Sequence, residues 1–219
     1  MQTTFDRDRI RSNLLPYTRK AFGLLPKLSR PRILDIGCGS GAATLELARI
    51  SGGDIVALDI DKDALDRLVT KAKEEDLLSR ITVVHASMLE MDFPPNTFDV
   101  IWTEGAISYI GFERGLSEWH RLLMPEGYLV VHDAVSDLQR KIELTHTCGY
   151  TILGQFELPP DIWWNEYYAP LKRELETLKG AGSLDQRVAN EMKTAEREIA
   201  EFDSESDRFS SVFFVLKRA

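Results

Sequence analysis

The densest chemistry in the chain lies in Asp35-Ile36-Gly37-Cys38-Gly39-Ser40-Gly41, an acid followed by glycines at every second position. Glycine tolerates positive φ and carries no Cβ, so a ligand can lie directly on such a turn. Further on stands Asp59, with Ile60 beside it. A carboxylate at that spacing can accept hydrogen bonds from both hydroxyls of a ribose. Gly37-x-Gly39-x-x-Ala42 also fits the loose dinucleotide fingerprint, in which the turn holds a pyrophosphate. Asp35 separates the two ligands. An anion two positions before the first glycine repels a pyrophosphate and attracts an amino-acid ammonium.

Other candidates follow from the rule that ligands bind beyond the carboxyl ends of strands in an open parallel sheet. That rule selects Glu104 and His132-Asp133. Glu104 could hold a cofactor, orient an amine, or act as a base if burial raises its pKa; the alternative is a solvated loop or capping carboxylate. Trp163, Trp164, Tyr167 and Tyr168, crowded beside Pro160, could wall a planar or cationic acceptor, since aromatic faces attract cations. They could equally be packing, and Tyr109 has the same two readings. Arg19 could pair with a cofactor carboxylate or be an exposed helical arginine. His120 shares a helical face with Leu116 and Leu123 and reads as packed, His85 as structural or close to an adenine, and Cys38 as a small side chain within the turn.

The elements that position these groups read as a parallel sheet with crossover helices on both faces. Strands are expected at Ile33 to Ile36, Ile55 to Asp59, Ile81 to His85, Phe98 to Trp102 and Gly127 to His132. Helices fit Ala42 to Ile50, with Leu45, Ala48 and Arg49 on one face, and Lys62 to Glu75, with Leu65, Leu68, Val69 and Ala72 spaced for burial. Tyr150 to Glu157 and Phe209 to Lys217 read as late strands, the last antiparallel. Between them Val188, Met192, Ala195, Ile199 and Phe202 mark an amphipathic helix. A leading helix from about Asp6 to Leu25 should break near Pro16. The expected organisation is one domain over 1–219. It has a leading helical segment at 1–28, a doubly wound Rossmann-like α/β core at 29–158 and 209–219, and a helical, aromatic cap at 159–208.

Composition narrows the function classes. A net charge of -8 and a pI near 5.1 disfavour a constitutive nucleic-acid binder, which needs clustered Lys and Arg. The Lys- and Glu-rich run from Lys172 to Glu201 reads as a solvated face. Cys38 and Cys148 are far apart and belong to no C-x-x-C pair, so they read as reduced thiols. No signal core or membrane-length apolar stretch is legible, and a cytoplasmic protein is expected. No metal site is expected.

These motifs resemble the class I methyltransferases. Asp35 to Gly41 looks like the first motif of that superfamily, Asp59 its ribose acid, and Ala86-Ser87-Met88 through Phe93 its adenine-contacting third motif. The resemblance covers about Arg32 to Asp133. Many relatives have Asp where Ser87 stands, so a hydroxyl contact to adenine would replace a carboxylate one, with the Met88 backbone reading the ring edge. Trp102 to Ile107, Ile110 to Gly115 and Glu118-Trp119 look like a small-molecule subgroup, as does the aromatic stretch Trp163 to Pro170. The resemblance implies S-adenosylmethionine as cofactor and S-adenosylhomocysteine as product. The acceptor would be an amine, thiol, hydroxyl or carbon of a small molecule, with the cap closing over cofactor and acceptor. A nucleic-acid amino-methyltransferase would carry an Asn/Asp-Pro-Pro-aromatic tetrapeptide where this chain has Thr103-Glu104-Gly105-Ala106. A protein methyltransferase, a noncatalytic cofactor-binding regulator and, third, a nicotinamide reductase stand as alternatives; a homodimer is compatible with the sequence.

Overall fold

The computed structural model describes residues 5, 7–180, 186–205 and 209–219. Asp6, where the leading helix is expected to begin, lies outside them. The described residues form two compact units: Leu15–Asp133, Asp137–Phe156 and Val212–Ala219 in the larger, and those within Met1–Leu14, Ala134–Ser136 and Glu157–Ser211 in the smaller.

The strands are β1 (Arg32–Ile36), β2 (Asp54–Asp59), β3 (Ile81–His85), β4 (Phe98–Glu104), β5 (Leu123–Ala134), β6 (Tyr150–Leu158) and β7 (Ser211–Arg218). The helices are α1 (Arg7–Arg11), α2 (Leu15–Phe22), α3 (Ala42–Ser51), α4 (Lys62–Glu74), α5 (Phe112–His120), α6 (Leu138–Thr147), α7 (Pro160–Trp163), α8 (Ala169–Lys179) and α9 (Gln186–Glu205). The larger unit is built on a seven-stranded sheet in the order β3-β2-β1-β4-β5-β7-β6. The first five strands pair in parallel. At the other end β7 runs against its neighbours: Val135 N bonds Ser210 O at its start and Ala219 N bonds Gly149 O at its finish. The expected doubly wound, mostly parallel α/β sheet with an antiparallel last strand is the observed one.

Continuous burial along β1 and β2, including Ile33, Leu34, Val56, Ala57 and Leu58, reflects a sheet covered on both faces. Helix α4 begins where the Asp61 side chain accepts the Ala64 N–H at 3.0 Å, a standard N-cap. In α3 the one-face expectation needs correction. Thr44, Leu45, Glu46, Leu47 and Ala48 are all buried, while Arg49 turns outward to ion pairs with Glu46 at 2.9 Å and with Glu75. Strand β5 starts earlier than expected because Leu123 already pairs with Phe98, ahead of a register shift between Phe98 and Val100. The sheet order reverses between β1 and β4, and this switch point is where a doubly wound sheet opens a crevice at its carboxyl edge.

The leading segment divides. A 3-10 turn at Ser12–Leu14 separates α1, in the smaller unit, from α2, in the larger. Within the smaller unit α9 buries Met192, Ala195, Ile199 and Phe202 against Ile10, Leu171 and Leu175, with Val188 partly buried against the same cluster. Phe209, expected to open the last strand, packs on this cluster instead, and β7 begins at Ser211.

Candidate active site

The turn after β1 is held open by its backbone. Gly37, Gly39 and Gly41 have φ of 72°, 53° and 88°. A Cβ at Gly37 would lie 2.3 Å from Ala106 Cβ, and one at Gly41 2.2 Å from Leu68 Cδ1, whereas at Gly39 nothing lies within 4 Å. Two glycines therefore make room for the protein and the third faces open space. The N–H groups of Gly37 and Cys38 donate to Leu58 O at 2.8 and 3.1 Å, which ties the turn to the end of β2. Gly39 N donates to Asp59 Oδ2 at 2.7 Å, and Asp61 N donates to Asp59 Oδ1 at 2.8 Å. Each carboxylate oxygen accepts two bonds, so Asp59 keeps acceptor capacity for a diol.

Register places the remaining groups. Asp35 sits opposite Trp102 across β1 and β4, Asp59 opposite His85 across β2 and β3, and Glu104 opposite His132 across β4 and β5. Asp35 is buried, and burial pushes its carboxyl up to about 7 despite a hydrogen bond from Thr44; the charges of Glu104 and Asp59 push the same way. The Thr44 hydroxyl donates to Asp35 Oδ2 at 2.6 Å. Glu104 Oε1 accepts from Thr18 Oγ1 at 2.9 Å and from Trp102 Nε1 at 2.8 Å. The negative charges of Glu104 and Asp59 thus act on buried Asp35 at the switch point. Repulsion of this kind is relieved by a cation. Among the described residues no group of three or more acidic, imidazole or thiol side chains could hold a metal ion.

The other expected residues fall into place around or away from this centre. His132 is buried and stacks face to face on Phe213, centroids 4.1 Å apart, and desolvation pushes its imidazole down to about 3. It is therefore neutral. Ser87 Oγ accepts Leu89 N–H at 3.2 Å in a local turn, close to Met88, whose Cε lies 3.9 Å from the Cβ position at Gly37. Burial, with Asp35 and Asp59 nearby, pushes the Cys38 thiol far up, which leaves it unreactive. Ile60 and Tyr109 are exposed. Arg19, 54% exposed, donates through Nε to Glu46 Oε1 at 2.5 Å in an ion pair between α2 and α3.

The aromatic wall also needs correction. Tyr167 and Tyr168 are 3% and 6% exposed inside the core of the smaller unit. There Tyr168 meets Phe202 at 4.4 Å, and Arg7 donates to the Tyr167 hydroxyl at 2.5 Å. Their faces are occupied by their own neighbours, and packing describes them. Trp164, partly buried, stacks on Phe202 at 5.7 Å with Lys172 above its ring. His120 packs edge-on against Tyr150. Sequence reasoning missed Thr18, Thr44 and Trp102. A threonine in a helix carries no sign of the carboxylate it will meet, although Trp102 stands two residues before Glu104 on one strand, where alternate side chains share a face.

The order and direction of the strands are those of the methyltransferase Rossmann-like fold. Residues 33–127 match the family described as "Methyltransferase domain". A sterol 24-C-methyltransferase of Gibberella zeae is 27% identical over 65% of this chain and 39% of its own. The 27-O-demethylrifamycin SV methyltransferase of Amycolatopsis mediterranei is 27% identical over 53% of this chain and 43% of its own. The chain spans less than half the length of these two relatives. Among solved structures, the phosphoethanolamine N-methyltransferase 2 of Haemonchus contortus in complex with S-adenosyl-L-methionine superposes with a TM-score of 0.73 at 17% identity, over 97% of this chain and 58% of that one.

Proposed function

We propose that the protein transfers a methyl group from S-adenosylmethionine to a small-molecule acceptor. The observation that carries this reading is the set of Asp35, Asp59 and Glu104 around a turn whose Gly39 faces open space. Such a set suits a ligand with a ribose, an ammonium and a sulfonium, and disfavours a pyrophosphate. When bound, S-adenosylmethionine supplies a methyl on positively charged sulfur, open to in-line displacement by a nucleophile.

This chain's residues then have separable tasks. Asp35 and Glu104 counter positive charge, Asp59 with Ile60 holds the ribose, the glycines with Cys38 admit the cofactor, and Ser87 with Met88 meets the adenine. Glu104 is also the group able to accept a proton from an acceptor that must lose one. In this reading exposed Tyr109, and neutral His132 through its ring edge, orient the acceptor. The relatives named above are a sterol 24-C-methyltransferase and a 27-O-demethylrifamycin SV methyltransferase, so the acceptor atom is left to experiment. With a net charge of -8, a nucleic acid is not proposed as acceptor. Cys38 and Cys148 are free thiols, in keeping with a reducing cytoplasm.

Isothermal titration with S-adenosylmethionine, S-adenosylhomocysteine and NAD tests the reading, followed by assay of S-adenosylhomocysteine release across amine, thiol, phenol and carbon acceptors. Micromolar binding of the first two and none of NAD is expected. Binding of NAD alone overturns it.

A further inference from the structure

We propose that Thr18, on α2, is a positioning residue that fixes the Glu104 carboxylate, with Trp102 as the second donor. Resting on the reading of Glu104 as an anion that faces the cofactor, this adds the element that aims it. The Thr18 hydroxyl and the Trp102 indole N–H donate to the same oxygen, Oε1, at 2.9 and 2.8 Å. Thr18 is 1% exposed and Trp102 fully buried. Two buried donors from different elements, meeting on one oxygen, fix both the rotamer and the plane of a carboxylate.

Helix α2 is docked so that Thr18 cannot drift. The next residue, Arg19, donates to Glu46 of α3 at 2.5 Å, and Glu46 also accepts from Arg49. The one after, Lys20, places its ammonium 4.0 Å from the centre of the Phe156 ring of β6. Phe22 meets Trp102 with ring centroids 6.4 Å apart. Consecutive side chains thus engage β4, α3 and β6, three separate parts of the larger unit. The outer contacts hold the helix, and the buried hydroxyl transmits that hold to the acid.

Titration of the full chain with S-adenosylmethionine tests this, using Thr18→Val, Thr18→Ser, Glu104→Gln and the double variant Thr18→Val/Glu104→Gln, with melting followed in parallel. Thr18→Val should weaken binding about tenfold, as expected for loss of a hydrogen bond to a charged group, and Thr18→Ser should stay within about twofold of wild type. In the Glu104→Gln background Thr18→Val should cost nothing further, because a residue that acts only through Glu104 has nothing left to aim. A purely structural role would give an additive loss there, and that result overturns the proposal. Wild-type affinity in Thr18→Val, with Glu104→Gln weakened, overturns it while leaving the reading of Glu104 intact. Wild-type affinity in Glu104→Gln overturns that reading and the proposal with it. If Thr18→Val melts too low to titrate, Trp102→Phe removes the other donor, and the same non-additivity with Glu104→Gln is required.

Discussion

The strand ends of the larger unit and the aromatic cluster of the smaller one bury polar atoms to opposite effect. In the cluster the polar tips are answered locally: Arg7 donates to the Tyr167 hydroxyl, and Trp163 Nε1 donates to Ser211 Oγ at 2.9 Å. At the strand ends Asp35 is buried with one hydroxyl donor and two like charges nearby. Satisfied burial is how a core is made, whereas acids held together against their own repulsion cost stability and mark a site for a cation. Sequence alone left the aromatic cluster open to two readings, packing or an acceptor wall. The structure separates them.

The largest effect that would sharpen the contrast is on stability. Phe202 touches Trp164, Tyr168 and Phe209, and Phe202→Ala should destabilise the fold by about 3–5 kcal/mol, the usual range for a buried aromatic. Urea unfolding measures it, and S-adenosylmethionine affinity well below the melt should stay within about twofold. A matching loss of affinity would return the aromatic cluster to the site. Asp35→Asn should do the reverse, weakening the cofactor about 100-fold, the scale for removing one partner of a buried charge pair. At pH 8 its unfolding free energy should hold or rise, because the variant no longer buries a carboxylate. A fall in stability without loss of affinity would make Asp35 a structural acid.

The pH dependence separates the same two contributions. Burial raises the Asp35 carboxyl from 3.8 to about 7 in the folded protein. Its contribution to stability is therefore fully present below pH 3.8 and is lost as pH rises through 7. Affinity for a cationic cofactor runs the other way, since only the ionised acid attracts it. Between pH 8 and pH 6 the dissociation constant should increase about tenfold, and titration calorimetry at both values should find this dependence flattened in Asp35→Asn. A wild-type profile that does not change across that range would mean that Asp35 is not the acid that meets the cofactor.

Much of the larger unit was legible because local pattern and global fold agree there. Apolar runs bounded by glycine and acid mark β1 and β2, and a strand that ends in an acid places that acid at the carboxyl edge whatever the details of packing. Where tertiary contact decides, the sequence was silent. Arg49 has the spacing of a core face, yet α3 is buried on several sides and its arginine leaves to meet Glu75. The pairing of Leu123 with Phe98 across a register shift extends β5 through Pro125, which local propensity would place outside a strand. Thr18 and Glu104 are joined only by the docking of α2. The tyrosines at 167 and 168 were ambiguous for a related reason. Composition tells that an aromatic will be buried or will bind, and only its neighbours tell which.

Tyr109 is the smallest and sharpest test of that last distinction. It follows β4 in the 3-10 turn Ile107–Tyr109, where its backbone N–H is bonded to Ala106 O at 3.1 Å while its ring is 84% exposed. A ring with so little packing contributes little to folding, so Tyr109→Ala should change unfolding free energy by no more than about 0.5 kcal/mol. Affinity for S-adenosylmethionine should also be unchanged, because Tyr109 has no part in countering the cofactor's charge. An effect should surface only with the acceptor: several-fold in KM for whichever compound supports S-adenosylhomocysteine release, with the largest loss for cationic or planar acceptors. Tyr167→Phe, which removes only the hydroxyl bonded by Arg7, should lower stability modestly and leave that KM alone. If the two variants trade places, with Tyr109 governing stability and Tyr167 the acceptor, the division between packed aromatics and a reactive carboxyl edge is wrong.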